Sequence, residues 1–281
     1  MFGFLKRKGF DSKAALTQSL GGAELPSFPG IVLRTLQAIR HPDASVRSVA
    51  SVLGADPGMS VRLLTLVNSA SRAGAKKVDS VDRAIAVLGM SGVESLVLSI
   101  GVAAALPKGP VDGFDPRRFW MTSAHRAALA RSFAEEVQPA SAALSFTAGL
   151  LQDMAVPLLA TAREDYRPLL QAWHSGDGSL HGMERAEFGW DHPEVATWLC
   201  ESWSLPENLA QAIAAHHGPH EGCDVPEAVR LVADIREAAE EAEINAMVAL
   251  AGDRLGVSAD RCIELSEVAE VRANELLKLF I

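Results

Sequence analysis

The stretch Gly149-Leu150-Leu151-Gln152-Asp153-Met154-Ala155 sets an amide and a carboxylate side by side in a segment of helical periodicity over residues 141–160. A carboxylate in a helix-lined core is tolerated only when it is hydrogen-bonded, paired or bound to a metal. Asp153 is therefore either held by a neighbouring helix end, the simpler reading, or part of a site. Pro157 removes one backbone bond and crowds the preceding turn, which predicts a kink in the helix that carries Asp153.

The rest of the chain also reads as helical. Strand alternation is nearly absent, β-favouring aromatics are scarce with a single Tyr, and Ala and Leu dominate. Apolar residues make up 48% of 281 positions, a globular composition with length for one large or two smaller domains. In the first half, Pro26 and Pro29 bracket a turn before a helix over residues 30–39. Ser45 caps a helix to residue 53, Asp56-Pro57 opens another to 69, and a helix over 81–88 ends at Gly89. A helix over 92–106, apolar around much of its surface, is expected to be central. Prolines and glycines crowd residues 107–113 and mark a linker. Beyond it, helices are expected near 115–137, 141–160, 163–174, 180–188, 192–202, 205–217, 225–243, 245–254 and 260–279. Asp191 with Glu194 and Ser204 with Glu207 have capping-box spacing, and Gly189 and Gly218 stand where helices end. The expected fold is all-α, an N-terminal helical bundle packed on a second helical bundle. Its parts are a basic, flexible terminus (1–22), an N-terminal subdomain (23–108), a second subdomain (109–250) and a C-terminal amphipathic helix (251–281) carrying Val268, Val271, Leu276, Leu277 and Leu279.

Taken in order, several short motifs resemble the HDOD family over residues 24–245. They are Leu25-Pro26-Ser27-Phe28-Pro29, Asp56-Pro57-Gly58-Met59-Ser60-Val61-Arg62-Leu63-Leu64, Val67-Asn68-Ser69-Ala70 and Ala84-Ile85-Ala86-Val87-Leu88-Gly89 in the first half. In the second half they are Phe119-Trp120, Ala148 through Asp153, Phe188-Gly189-Trp190-Asp191-His192, Trp203-Ser204-Leu205-Pro206 and His216-His217. Each is weak alone; their joint order and spacing carry the resemblance. It implies that the second bundle is HD-like, related to the metal-dependent HD and HD-GYP phosphohydrolases, and that the module acts in signal transduction.

In the hydrolytic relatives the helix reads Leu-Leu-His-Asp-Ile-Gly. Here Gln152 stands for the His, Thr122 for a second His after the aromatic pair, and Ala155 and Val156 for a Gly and a Lys. His125 lies a turn beyond Thr122. An amide is a weak ligand for a divalent transition metal, whereas imidazole is a common one. Asp153, His192 and His216 remain, with Asp234 matching the last carboxylate. This half set implies a vestigial pocket with no metal, no cofactor and no catalytic residue. The expected binding groove lies between the bundles, near Asn68, Gln152 and Asp153.

Each of these residues also has a plain structural reading. His192 can serve the cap with Asp191, His216 can pack behind Leu209 and Ile213, and His216 and His217 suit a helix C-terminus. His41, His174, His181 and His220 are expected to be solvated. The expected function is a non-catalytic regulatory binding module acting through signalling proteins or a small-molecule or nucleotide ligand. One alternative is a weak metal-dependent phosphohydrolase of a nucleotide or cyclic dinucleotide. Another is a helix-turn-helix DNA-binding regulator over residues 45–68, with Ala50 and Gly54 four apart. Against it stand Ser60 where a buried aliphatic is wanted and few basic residues, Arg62 and Arg72. The net charge of −9, from 26 basic and 35 acidic residues, does not attract nucleic acid non-specifically.

No transmembrane segment is expected, because the apolar run 96–106 is far shorter than the ~20 residues a spanning helix needs. Cys200, Cys223 and Cys262 form no CxxC and suit a reducing cytoplasm. The C-terminal helix offers a surface for the core or for a homodimer. The basic, aromatic residues 1–8 offer a contact for an anionic membrane surface or a partner, or simply fray.

Overall fold

The computed structural model describes residues 11–69, 77–218, 225–236, 241–278 and 280. Among them the backbone is helical, with one isolated antiparallel bridge between Val111 and Phe114 and no strand. Helix α1 (Ser12–Ser19) precedes an N-terminal bundle of α2 (Gly30–Arg40), α3 (Val46–Gly54), α4 (Pro57–Ser69) and α5 (Val81–Ala105). A second bundle follows: α6 (Pro116–Val137), α7 (Ala142–Leu151), α8 (Ala155–Ala162), α9 (Arg167–His174), α10 (Leu180–Phe188), α11 (His192–Ser202), α12 (Glu207–Ala214) and α13 (Glu227–Leu231). Helices α14 (Glu241–Leu255) and α15 (Ala259–Leu277) close the chain.

Most helix starts are written in the sequence. Side chains of Asp11, Ser45, Ser80, Asp115, Asp191 and Ser258 accept from backbone N–H groups of the first turn, which otherwise have no partner. Gly189 ends α10 in the left-handed conformation. Within α5, Gly89 adopts φ 70° and ψ 168°, so Val81–Ala105 is two helices joined at that residue. A Cβ there would meet nothing within 4 Å, which leaves backbone strain as the only obstacle to a side chain. Gly89→Ala is expected to cost about 1–3 kcal/mol, read as a lower urea midpoint with an unchanged slope.

The second half of α5 is central. Val93, Leu96, Val97 and Ile100 are buried, and the helix packs on α2, α3 and α4 on one side and on α7 on the other. Gly101 admits this packing: a Cβ would lie 2.7 Å from Phe28 Cζ. Phe28 in turn stacks on Trp203 at 5.1 Å, and the Trp203 indole donates to the Pro26 carbonyl at 3.1 Å. The Leu25–Pro29 and Trp203–Pro206 motifs are therefore two halves of one contact that ties the bundles together. In the second bundle α7 lies against α6, and a Cβ on Gly149 would stand 3.0 Å from the Arg126 carbonyl oxygen. That close approach sets Asp153 opposite Arg126.

Several expected boundaries shift. The helix over 141–160 is divided: α7 ends at Leu151, residues 152–154 form a turn, and α8 starts at Ala155. The break falls before Pro157 because Pro157 has no N–H for the Asp153 carbonyl, which instead takes the Val156 N–H at 2.9 Å in a tighter turn. The helix over 225–243 is likewise interrupted after Leu231. Ser204 does not cap α12; it closes α11 at φ 54° while Leu205 turns into the core, and α12 begins after Pro206. Residues 12–19 of the terminus expected to be flexible form α1, whose Leu16 is fully buried and which packs on α11. Residues 251–255 belong to α14; the C-terminal helix is α15, packed on α6 through Cys262, Leu265, Ala269, Ala273 and Leu276, with Val268 and Val271 exposed.

Among the described residues, two segments, Val81–Ala105 and Pro139–Ala162, are long and apolar enough to cross a membrane by composition, and both are mostly buried inside the protein. Cys200 and Cys262 are free and buried, and burial pushes the Cys200 thiol up, which makes it inert. Residues 1–10, Ala70, Arg72, His220, Cys223 and Leu279 lie outside the described residues.

Candidate functional site

Asp153 sits in the turn between α7 and α8, buried on all sides. From α6, Arg126 reaches it through the core; the residue is 1% exposed, an extreme for its type. Its Nη1 donates to Asp153 Oδ2, while Nε donates to the Ile235 carbonyl at 2.8 Å and Nη2 donates to the same oxygen. The turn after α13 thus serves to hold Arg126.

His192 opens α11. Its backbone N–H donates to Glu184 Oε2 at 2.8 Å, and its Nδ1 lies 2.7 Å from the same oxygen. Glu184, from α10 and fully buried, accepts the Tyr166 hydroxyl at its other oxygen. His216 follows α12, with Nδ1 2.6 Å from the Ile213 carbonyl. Carboxylate and carbonyl oxygens only accept, so both Nδ1 atoms carry protons and both Nε2 atoms turn inward. Each Nε2 is 3.3 Å from Asp153 Oδ1, and they are 3.2 Å from each other. His217 packs edge-on to His192 at 5.2 Å, stacks on His181 at 4.3 Å, and has Nδ1 3.4 Å from Asp234 Oδ1.

The charges settle one another. Burial alone would raise the Asp153 carboxyl, but the Arg126 charge and the two imidazoles hold it well below the usual carboxylate range. Burial would lower His192, but Glu184 and Asp153 raise it to about 10. His216 is lowered by burial, and His217 is lowered by burial and by His216 to about 4. A cavity of about 360 Å³ opens over this cluster, walled by Arg126, Asp153, Trp173, Gly178, Ser179, His181, His217, Asp234 and Arg236. That volume suits a small ligand.

The structure brings Asp153, His192 and His216 together. Asp234 stays at the rim, its side chain 82% exposed, and it meets His217 rather than Asp153. Gln152 is buried with neither amide atom hydrogen-bonded. The Thr122 hydroxyl donates to the Arg236 carbonyl at 3.2 Å. Asn68 braces its own bundle: its amide donates to the Leu64 and Val78 carbonyls at 2.8 Å each and accepts the Val78 N–H at 2.7 Å. His125 feels Glu270 of α15, away from the cluster. His174 and His181 are half-buried rather than solvated, each with a buried Nδ1 that has no partner. Sequence reasoning missed Arg126, Glu184 and Tyr166. Arg126 left a signal: a lone charge on the alanine-lined stripe Ala124, Ala127, Ala128 and Ala130. Glu184 left none, since it looks like any acidic residue of an amphipathic helix.

Asp153, His192, His216 and His217 each offer one donor atom, and the four atoms lie within 4.8 Å of one another. In the N-terminal bundle, α3 and α4 pack on α5, and Ser60 donates its hydroxyl to the Leu53 carbonyl.

Comparison with known proteins agrees with this architecture. A protein of Shewanella amazonensis SB2B, named only as a candidate phosphohydrolase, superposes with a TM-score of 0.74 at 24% identity, over 95% of this chain and 98% of its own. An HDOD domain protein of unknown function from Geobacter sulfurreducens superposes at 0.70 and 22% identity, over 96% and 100%. A candidate signal transduction protein of Marinobacter aquaeolei VT8 gives 0.70 at 19%, over 97% of this chain and 67% of that one. An uncharacterized protein of Treponema pallidum (strain Nichols) is 24% identical over 204 residues, which is 70% of this chain but only 38% of that protein. The HDOD domain profile itself matches residues 25–219, from the Leu25–Pro29 segment that docks on Trp203 to the His216-His217 pair, and on that match the chain belongs to the HDOD domain family.

Proposed function

We propose that this HDOD protein is a non-catalytic signal-transduction module that acts by binding, with the cavity over Asp153 as its ligand or partner site. The observation that supports this most is Arg126. Hydrolysis by a metal pair requires ligands shared between two cations, with the attacking water between them. Here one oxygen of the Asp153 carboxylate is taken by a buried guanidinium whose Nε and Nη2 donate to the Ile235 carbonyl. Gln152, adjacent in the same turn, supplies an amide where an imidazole would be needed.

A second reading, a weak phosphohydrolase, draws on the convergence of three imidazoles and one carboxylate. Turnover separates the two. Purified protein supplied with Mn²⁺ or Fe²⁺ is expected to hydrolyse bis(p-nitrophenyl) phosphate and cyclic dinucleotides no faster than its Asp153→Asn variant. Turnover that Asp153→Asn abolishes would establish the enzyme instead.

A further inference from the structure

We infer that Asp153, His192, His216 and His217 form a site for a single divalent transition-metal ion, with Arg126 as a fixed cation beside it. Asp153 Oδ1, His192 Nε2 and His216 Nε2 make a nearly equilateral triangle of 3.3, 3.3 and 3.2 Å. Donor atoms ~2.0–2.1 Å from a tetrahedral ion stand ~3.3 Å apart, so the triangle has the edge such an ion requires. His217 brings a fourth donor into the same 4.8 Å cluster.

Hydrogen bonding accounts for one edge of the triangle, the 3.2 Å contact between the two Nε2 atoms, and not for its apex on Asp153. Asp153 Oδ1 is buried and makes no hydrogen bond of acceptable geometry, although two imidazole nitrogens lie 3.3 Å away. The outer contacts are those of metal-binding imidazoles: a carboxylate, Glu184, on His192 Nδ1 and a backbone carbonyl, Ile213, on His216 Nδ1. Charge also balances, since the three carboxylates Asp153, Glu184 and Asp234 offset one divalent ion and the guanidinium. Three imidazoles and one carboxylate suit a borderline ion such as Zn²⁺. The sequence undercounts this site because Asp234 takes the place of His217 in the expected set.

The inference concerns the same pocket as the proposed function but does not depend on it, because one ion without a partner ion is compatible with either a binding or a hydrolytic outcome. Protein stripped with EDTA is titrated with Zn²⁺ or Co²⁺ alone, with stoichiometry read by elemental analysis and coordination by the visible absorption of Co²⁺. One ion per chain is expected, with tetrahedral Co²⁺ bands. At free metal 100 times Kd, the folded-to-unfolded ratio rises ~100-fold. Glu184→Gln is expected to weaken binding ~10–100-fold. His217→Ala, at a half-buried position, is expected to lose the tetrahedral bands while the chain stays folded by circular dichroism. His41→Ala, at an exposed position after α2 and outside the pocket, is expected to keep both bands and stoichiometry. Folded wild-type protein that takes up neither metal overturns the inference. So does uptake that His216→Ala and His217→Ala leave unchanged.

Discussion

Arg126→Met is expected to lower stability by about 3–5 kcal/mol, read from urea unfolding. The loss comes less from the missing attraction than from what is left behind. Asp153 is buried, and without Arg126 its Oδ2 has no donor. An uncompensated carboxylate in a helix-lined core costs several kcal/mol, whereas a matched pair is close to neutral against apolar residues of similar volume. The double variant Arg126→Met/Asp153→Leu is therefore expected to recover most of the loss, with a coupling of about 1–3 kcal/mol in the double-mutant cycle. If Arg126→Met costs under about 1 kcal/mol, the guanidinium is not what satisfies Asp153.

Glu184→Ala is expected to cost a comparable amount, about 3–5 kcal/mol, by the same unfolding measurement. One carboxylate accepts the Tyr166 hydroxyl, the His192 N–H and the His192 imidazole, all without solvent. Removing it strands two neutral donors and one imidazole whose basicity Glu184 raises. Tyr166→Phe removes a single contact and is expected to cost about 1–3 kcal/mol. The two variants share partners, so their effects will not add. A Glu184→Ala loss no larger than that of Tyr166→Phe would mean that His192 is held by something other than Glu184.

The helical fold was legible because local signals agree with one another. Ser45, Asp56 and Asp191 cap the helices they precede, Gly89 breaks the helix it was expected to end, and Gly189 terminates α10. The misplaced boundaries share one cause. At residues 152–154 and after Leu231, the helical period continues in the sequence while the backbone turns aside to place Asp153 and the Ile235 carbonyl against Arg126. Helical periodicity reports which face is buried, not whether the chain stays helical between two buried residues.

The site was half legible. Asp153, His192 and His216 stood out as residue types that carry chemistry, and the structure draws them together. Arg126, Glu184 and Tyr166 are common types on ordinary helices, and only the packing of α6 on α7 and of α10 on α11 gives them their roles. Asn68 shows the opposite ambiguity: a polar residue in a recurring motif invites a ligand, yet both of its amide donors go to the Leu64 and Val78 carbonyls.

On the proposed reading, Arg126 holds the second oxygen of Asp153 and so keeps a pair of metal ions from forming over it. A crystal structure of the protein soaked in excess Mn²⁺, with anomalous scattering to locate the ions, tests this directly. No more than one ion per chain is expected, on the side of Asp153 facing His192 and His216, with the Arg126–Asp153 contact intact. Two ions bridged by Asp153, with Arg126 displaced, would contradict it.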